Sequence, residues 1–110
     1  MNIKDMQRAA ADASRLMESL SSENRLMILC QLAEGEKSVG ALAASLRLRH
    51  AAVSQQLALL RKDGLVATRR DGQTIHYSLR GTAARRVIGL LYELYCTPAD
   101  RQTDIAGGKQ

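Results

Sequence analysis

The chain has 110 residues, a formal net charge of +5, a single proline, and neither phenylalanine nor tryptophan. That length suits one domain with one core and is too short for a binding domain plus a separate catalytic domain. With Tyr77, Tyr92 and Tyr95 as its aromatics, the core must be built from Leu, Ile, Val, Met and Ala, a lean composition that often relies on a partner subunit.

Met6, Ala9, Ala10, Ala13, Leu16, Met17 and Leu20 recur at the spacing of one helical face, so a first amphipathic helix is expected. Its start carries Lys4, Asp5 and Arg8 and lacks an uninterrupted apolar stretch, which argues against a secretory signal or membrane span and for the cytosol. There Cys30 and Cys96 are expected to be reduced. Ser22 followed by Glu23 caps a second helix, roughly Glu23 to Ala33, that is apolar almost all round and should be central; Gly35 stops it. Ser38 can cap a short third helix with Val39, Leu42, Ala43 and Leu46 inward. After a break at Leu48 and Arg49, a fourth helix turns Val53, Leu57 and Leu60 inward.

Two short helices joined in this way make a helix-turn-helix. The outward face of the second one carries Ala51, Ser54, Gln55 and Ala58. Small residues let a helix approach closely, and a glutamine can read an adenine edge through two hydrogen bonds. Gly64 ends the helix and the period changes to two: Leu65 to Arg70 and Thr74 to Leu79 read as paired strands, with Asp71-Gly72 as a type I′ turn. Arg69 and Arg70 stand beside that turn, so the hairpin is a basic wing. Six basic residues, among them Arg49, Arg61, Arg69 and Arg70, oppose two acidic ones between Arg47 and Asp71. Concentrated positive charge of this kind is the footprint of a polyanion ligand. A fifth helix runs from Thr82 to about Cys96, and Pro98 ends it. Residues 1–97 are therefore expected to form one domain, and the polar tail 98–110 to be disordered.

The runs Leu20 to Leu29, Leu42 to Leu48, Val53-Ser-Gln-Gln-Leu-Ala-Leu-Leu-Arg61, and Asp63-Gly-Leu-Val66 with the hairpin through Leu79 resemble the ArsR-type bacterial repressors. The resemblance implies a mostly α winged helix-turn-helix of about five helices and one β-hairpin. It also implies a twofold dimer through the first and fifth helices, with the fourth helices in successive major grooves of operator DNA. On this reading Arg49, His50, Ala51, Ser54, Gln55, Arg61, Arg69 and Arg70 are the DNA-binding residues. The family often has Ser and His where this chain has Arg49 and Gln56, so base preference does not carry over, and Arg49 stands as a phosphate contact in place of a cap.

Many relatives sense metals through a Cys-Val-Cys pattern in the third helix, but this chain has Ser38-Val39-Gly40. The alternative site in the fifth helix needs Asp and His ligands, and Gly81 to Thr97 contains neither. His50 and His76 stand alone, where zinc needs three or four clustered donors. No metal and no cofactor are expected. Cys30 and Cys96, by contrast, are placed as in the sulfide- and persulfide-responsive subgroup of the family. That resemblance implies a redox switch in which reactive sulfur species or an oxidant link the two thiols and DNA is released. The residues alone also fit two small buried hydrophobes. Other readings are a repressor answering a metal or peroxide and a winged-helix protein-interaction module. A thiol enzyme is disfavoured by the lack of a Cys-x-x-Cys motif, a Gly-rich phosphate loop or paired carboxylates.

Overall fold

A computed structural model describes residues 2–96. The expected disordered tail lies outside the described residues. Helix α1 spans Ile3–Leu20, α2 Glu23–Ala33, α3 Val39–Leu46, α4 His50–Lys62 and α5 Thr82–Cys96; the strands are β1 Lys37–Ser38, β2 Val66–Asp71 and β3 Thr74–Leu79. No described helix is long and apolar enough to cross a membrane.

Local chemistry sets the boundaries. Asn2 accepts from the Asp5 N–H at 2.8 Å, Ser22 from Arg25 at 3.3 Å and Ser38 from Ala41 at 3.1 Å, each side chain satisfying an orphan donor of a first helical turn. Helix α3 closes with Arg47 in the left-handed region (φ 57°) while the Leu48 N–H donates to the Ala43 carbonyl at 3.0 Å. A non-glycine residue held there costs about 1–2 kcal/mol, which the packing of α3 and α4 against the core must offset.

The core is centred on α2, as its pattern implied. Ile28, Leu29 and Leu32 meet Leu42 of α3, Val53, Leu57 and Leu60 of α4, Val66 and Leu79 of the sheet and Ile88 of α5, all buried. Burying each such side chain contributes about 1.5–3 kcal/mol relative to leaving it in water.

The sheet differs from a plain hairpin in two ways. Lys37 and Ser38 add a third strand, pairing with Tyr77 and His76, so the order is β1-β3-β2. The turn also sits one residue later than Asp71-Gly72. Asp71 pairs with Thr74, and the positive φ falls on Gly72 (63°) but not on Gln73. Glycine first in a two-residue loop is the type II′ pattern rather than the expected I′.

Candidate nucleic-acid interface and thiol pair

Helix α4 separates its residues by face. Val53, Leu57 and Leu60 are fully buried, whereas Ala51, Ser54, Gln55 and Ala58 are exposed. Its N-cap is Arg49, which makes no side-chain capping bond. The first-turn N–H groups therefore point outward without a side-chain acceptor, at the positive end of the helix dipole, where an anion is favoured. His50 is exposed in that same turn. A cleft of about 400 Å³ lies between the starts of α3 and α4 and the wing, lined by Gly40, His50, Ser54, Gln73 and Thr74 among others, so the reading face and the wing tip share one side.

The basic residues are not equivalent. Arg61, near the end of α4, is exposed, as is Arg70. Among the described residues neither they nor Arg49 has an ion-pair partner. Arg69 has one. Its Nε donates to the two Glu36 carboxylate oxygens at 3.2 and 3.1 Å and its Nη2 to one of them at 2.9 Å. This fork holds the Glu36 carboxyl below the usual range, with a lesser contribution from the charge of His76, and raises Arg69 further. His76 faces Arg69 across the strands and is half-buried, not the isolated surface histidine its sequence position suggests. Glu36 was not visible as a functional residue, because no local pattern connects it to a strand 33 positions away.

Both cysteines are free thiols, Cys30 half-buried in α2 and Cys96 exposed at the end of α5. Helices α2 and α5 pack together. Burial pushes the Cys30 thiol above its ordinary range, and the nearby charges of Cys96 and then Glu34 push the same way. The two thiols, far apart in sequence, are thus carried on helices that pack together. Among the described residues no three of His, Cys, Asp and Glu converge to hold a metal ion.

A buried-core helix-turn-helix with a polar outward helix and a basic wing defines a DNA-binding regulator of the winged class. Residues 22–68 match the family described as bacterial regulatory protein, arsR family. The chain is 46% identical over 96 residues to the transcriptional activator HlyU of Vibrio cholerae, covering 87% of this chain and 89% of that protein. The structure of reduced HlyU from Vibrio cholerae matches with a TM-score of 0.83 at 44% identity, over 86% of this chain and 100% of that one. The transcriptional repressor BigR from Xylella fastidiosa matches at 0.79 and 38% identity over 88% and 99%. A homodimeric winged helix-turn-helix DNA-binding domain from Mycobacterium bovis matches at 0.74 and 26% over 92% and 93%. The chain belongs to the arsR family of bacterial regulatory proteins. It is a transcriptional regulator and not an enzyme.

Proposed function

We propose that the protein is a cytoplasmic, homodimeric repressor that holds operator DNA in its reduced form and releases it when Cys30 and Cys96 become linked through sulfur. Ser54 and Gln55 read base edges while Ala51 allows close approach, and Arg49, His50, Arg61 and Arg70 face phosphates with Arg69, which exchanges Glu36 for the backbone. Dimerisation through α1 and α5 is supported by their uncovered apolar faces and by the homodimeric Mycobacterium bovis relative.

The observation that carries the sensing half is the packing of α2 against α5, which sets the helices bearing the two free thiols, Cys30 and Cys96, side by side. Cys96 is exposed, whereas burial pushes the Cys30 thiol up and disfavours its thiolate, so Cys96 is the first to attack. It takes the outer sulfur of a persulfide RS–SH, breaking the S–S bond and expelling RS⁻. The Cys30 thiolate then attacks the Cys96 sulfur, forming the Cys30–Cys96 disulfide and expelling HS⁻. The two thiols lose two electrons and the persulfide is reduced to a thiol and hydrosulfide. Where a second persulfide instead transfers its outer sulfur to Cys30, expelling RS⁻, attack of that Cys30 persulfide on the inner Cys96 sulfur expels HS⁻ and leaves a trisulfide link. Because α2 belongs to the reading unit and α5 to the dimer face, the link shifts one against the other and changes the spacing of the two α4 helices.

Fluorescence anisotropy on an operator duplex, with and without glutathione persulfide or peroxide, tests this. Cys30→Ser and Cys96→Ser should each bind as the wild type does and fail to respond. Unchanged wild-type affinity despite a link confirmed by mass spectrometry removes the sensing reading and leaves the DNA-binding one standing.

A further inference from the structure

Arg25 lies in the first turn of α2 and is half-buried. Its backbone N–H belongs to the Ser22 cap, but its guanidinium leaves the helix. Nε donates to the Ser19 carbonyl at 3.0 Å and Nη2 to the Glu18 carbonyl at 3.3 Å, both in the last turn of α1, while Nη1 donates to Oε1 of Gln56 in α4 at 3.3 Å. The last turn of α1 has no basic residue of its own. Its carbonyls, at the negative end of the helix dipole, therefore receive their cation from α2.

A second tie runs beside the first. Ser19, a buried polar residue, donates its hydroxyl to the Asp63 carboxylate at 3.2 Å, at the C-cap of α4. The end of α1 is thus joined to α4 at Gln56 and at Asp63, about two helical turns apart. One tie would fix a distance between the helices; two ties spaced along α4 fix its direction.

We propose that Arg25 is a positioning residue that sets the direction of α4 against α1 and thereby the half-site spacing the protein accepts. The proposal rests on the reading above of α1 as a dimer helix and α4 as the recognition helix. The chemistry calls for arginine: a planar fork with five donors can hold two carbonyls and an amide oxygen at once, which a lysine ammonium on a flexible stem cannot do in a fixed geometry. Gln56 adjoins Gln55, so rotation of α4 about its ties turns the base-facing side chain with it. In a symmetric dimer that error is doubled, because both recognition helices must meet their half-sites together.

The test starts from duplexes of about 40 base pairs, randomised and selected with the wild type, a length that holds two half-sites one or two helical turns apart. Versions of the selected duplex with one or two base pairs inserted between the half-sites measure the spacing penalty. Arg25→Met should bind the selected duplex about tenfold more weakly, the size expected for loss of a hydrogen-bonded charge. It should also lose less on insertion than the wild type, with the sedimenting dimer and the affinity for random duplex unchanged. Arg25→Lys should behave like Arg25→Met. Gln56→Leu, which leaves Arg25 and α1 intact, should show the same relaxed spacing, and the double variant should be no worse than either single one. This guards against misfolding of the arginine variants. If Arg25→Met and Gln56→Leu keep the wild-type spacing penalty, or weaken operator and random duplex equally, the positioning role falls alone. If the wild type selects no duplex, the recognition-helix reading falls and the role of Arg25 with it.

Discussion

Helices α4 and α1 are both amphipathic, yet the molecule treats their apolar faces in opposite ways. In α4 the inward residues Val53, Leu57 and Leu60 are fully buried. Along the 18 residues of α1 only Ser19 and Leu20 are buried, and Met17, on the same stripe, is 61% exposed. Helix α5 behaves like α1: Ala84 and Ile88 are buried near its start, while Leu94 and Tyr95 near its end are 39% and 51% exposed. The inward residues of α2, α3, α4 and the sheet are buried within one copy, joined by Leu20 of α1 and Ile88 of α5, while Met6 and Met17 of α1 and Leu90 and Leu94 of α5 stay exposed. A single copy therefore folds around its DNA-reading part and leaves apolar residues of α1 and α5 exposed, which suits the pairing of two copies proposed above.

The strongest way to break this comparison is a charge on the uncovered face. Leu94→Glu should give monomers in sedimentation and weaken operator binding roughly 10²- to 10⁴-fold through the loss of two-site binding, with the melt of the reading unit little changed. A wild type that is itself monomeric at micromolar concentration would show that the exposed stripe serves another purpose. Next in size, Leu57→Ala should destabilise the fold by about 2–5 kcal/mol in denaturant unfolding. Met17→Ala introduced into the Leu94→Glu monomer should shift stability by under about 0.5 kcal/mol. Equal costs would mean that α1 is held more firmly by its own subunit than its exposure indicates.

Smaller effects sharpen the account of the reading face. Gln55→Ala should lower discrimination between operator and random duplex by about 1–3 kcal/mol, whereas Arg70→Ala should weaken both alike and reduce the salt slope by about one unit. Titrations of affinity against salt separate the two. The smallest effect falls at the seam between the two regions, where α2, which carries Cys30, packs against α5, which carries Cys96. Loss of the Cys96 charge in Cys96→Ser should lower the midpoint for Cys30 alkylation by iodoacetamide, because a like charge no longer opposes the thiolate. That midpoint should stay above the ordinary thiol range, since burial is the larger cause. An unmoved midpoint would place the two thiols beyond electrostatic contact.

The sequence made legible whatever repeats locally. The two faces of α4, the centrality of α2 and the caps at Ser22 and Ser38 follow from periodicity and capping chemistry, and the structure bears them out; the expected end of α5 at Pro98 lies outside the described residues. What escaped depends on contacts between distant segments. Two residues, Lys37 and Ser38, have no period to reveal a strand; they become one because β3 offers an edge. Arg69 and Arg70 look alike in a row, and only the approach of Glu36 distinguishes them. Arg25 reads as one more charge in the first half of a helix until the fold brings Ser19 and Gln56 to its guanidinium. The exposure of the α1 stripe agrees with the expectation that the first helix serves as a dimer face.

Ser38 belongs to two structures at once: its backbone pairs with His76 in the sheet, and its hydroxyl oxygen accepts from the Ala41 N–H at the start of α3. Few side chains suit both roles. Valine keeps the extended backbone and discards the cap; aspartate keeps the cap and disfavours the strand. Threonine alone among the usual capping residues also favours a strand, so this position should tolerate little drift. A library randomised at Ser38 and sorted for folded protein should return serine and threonine and little else.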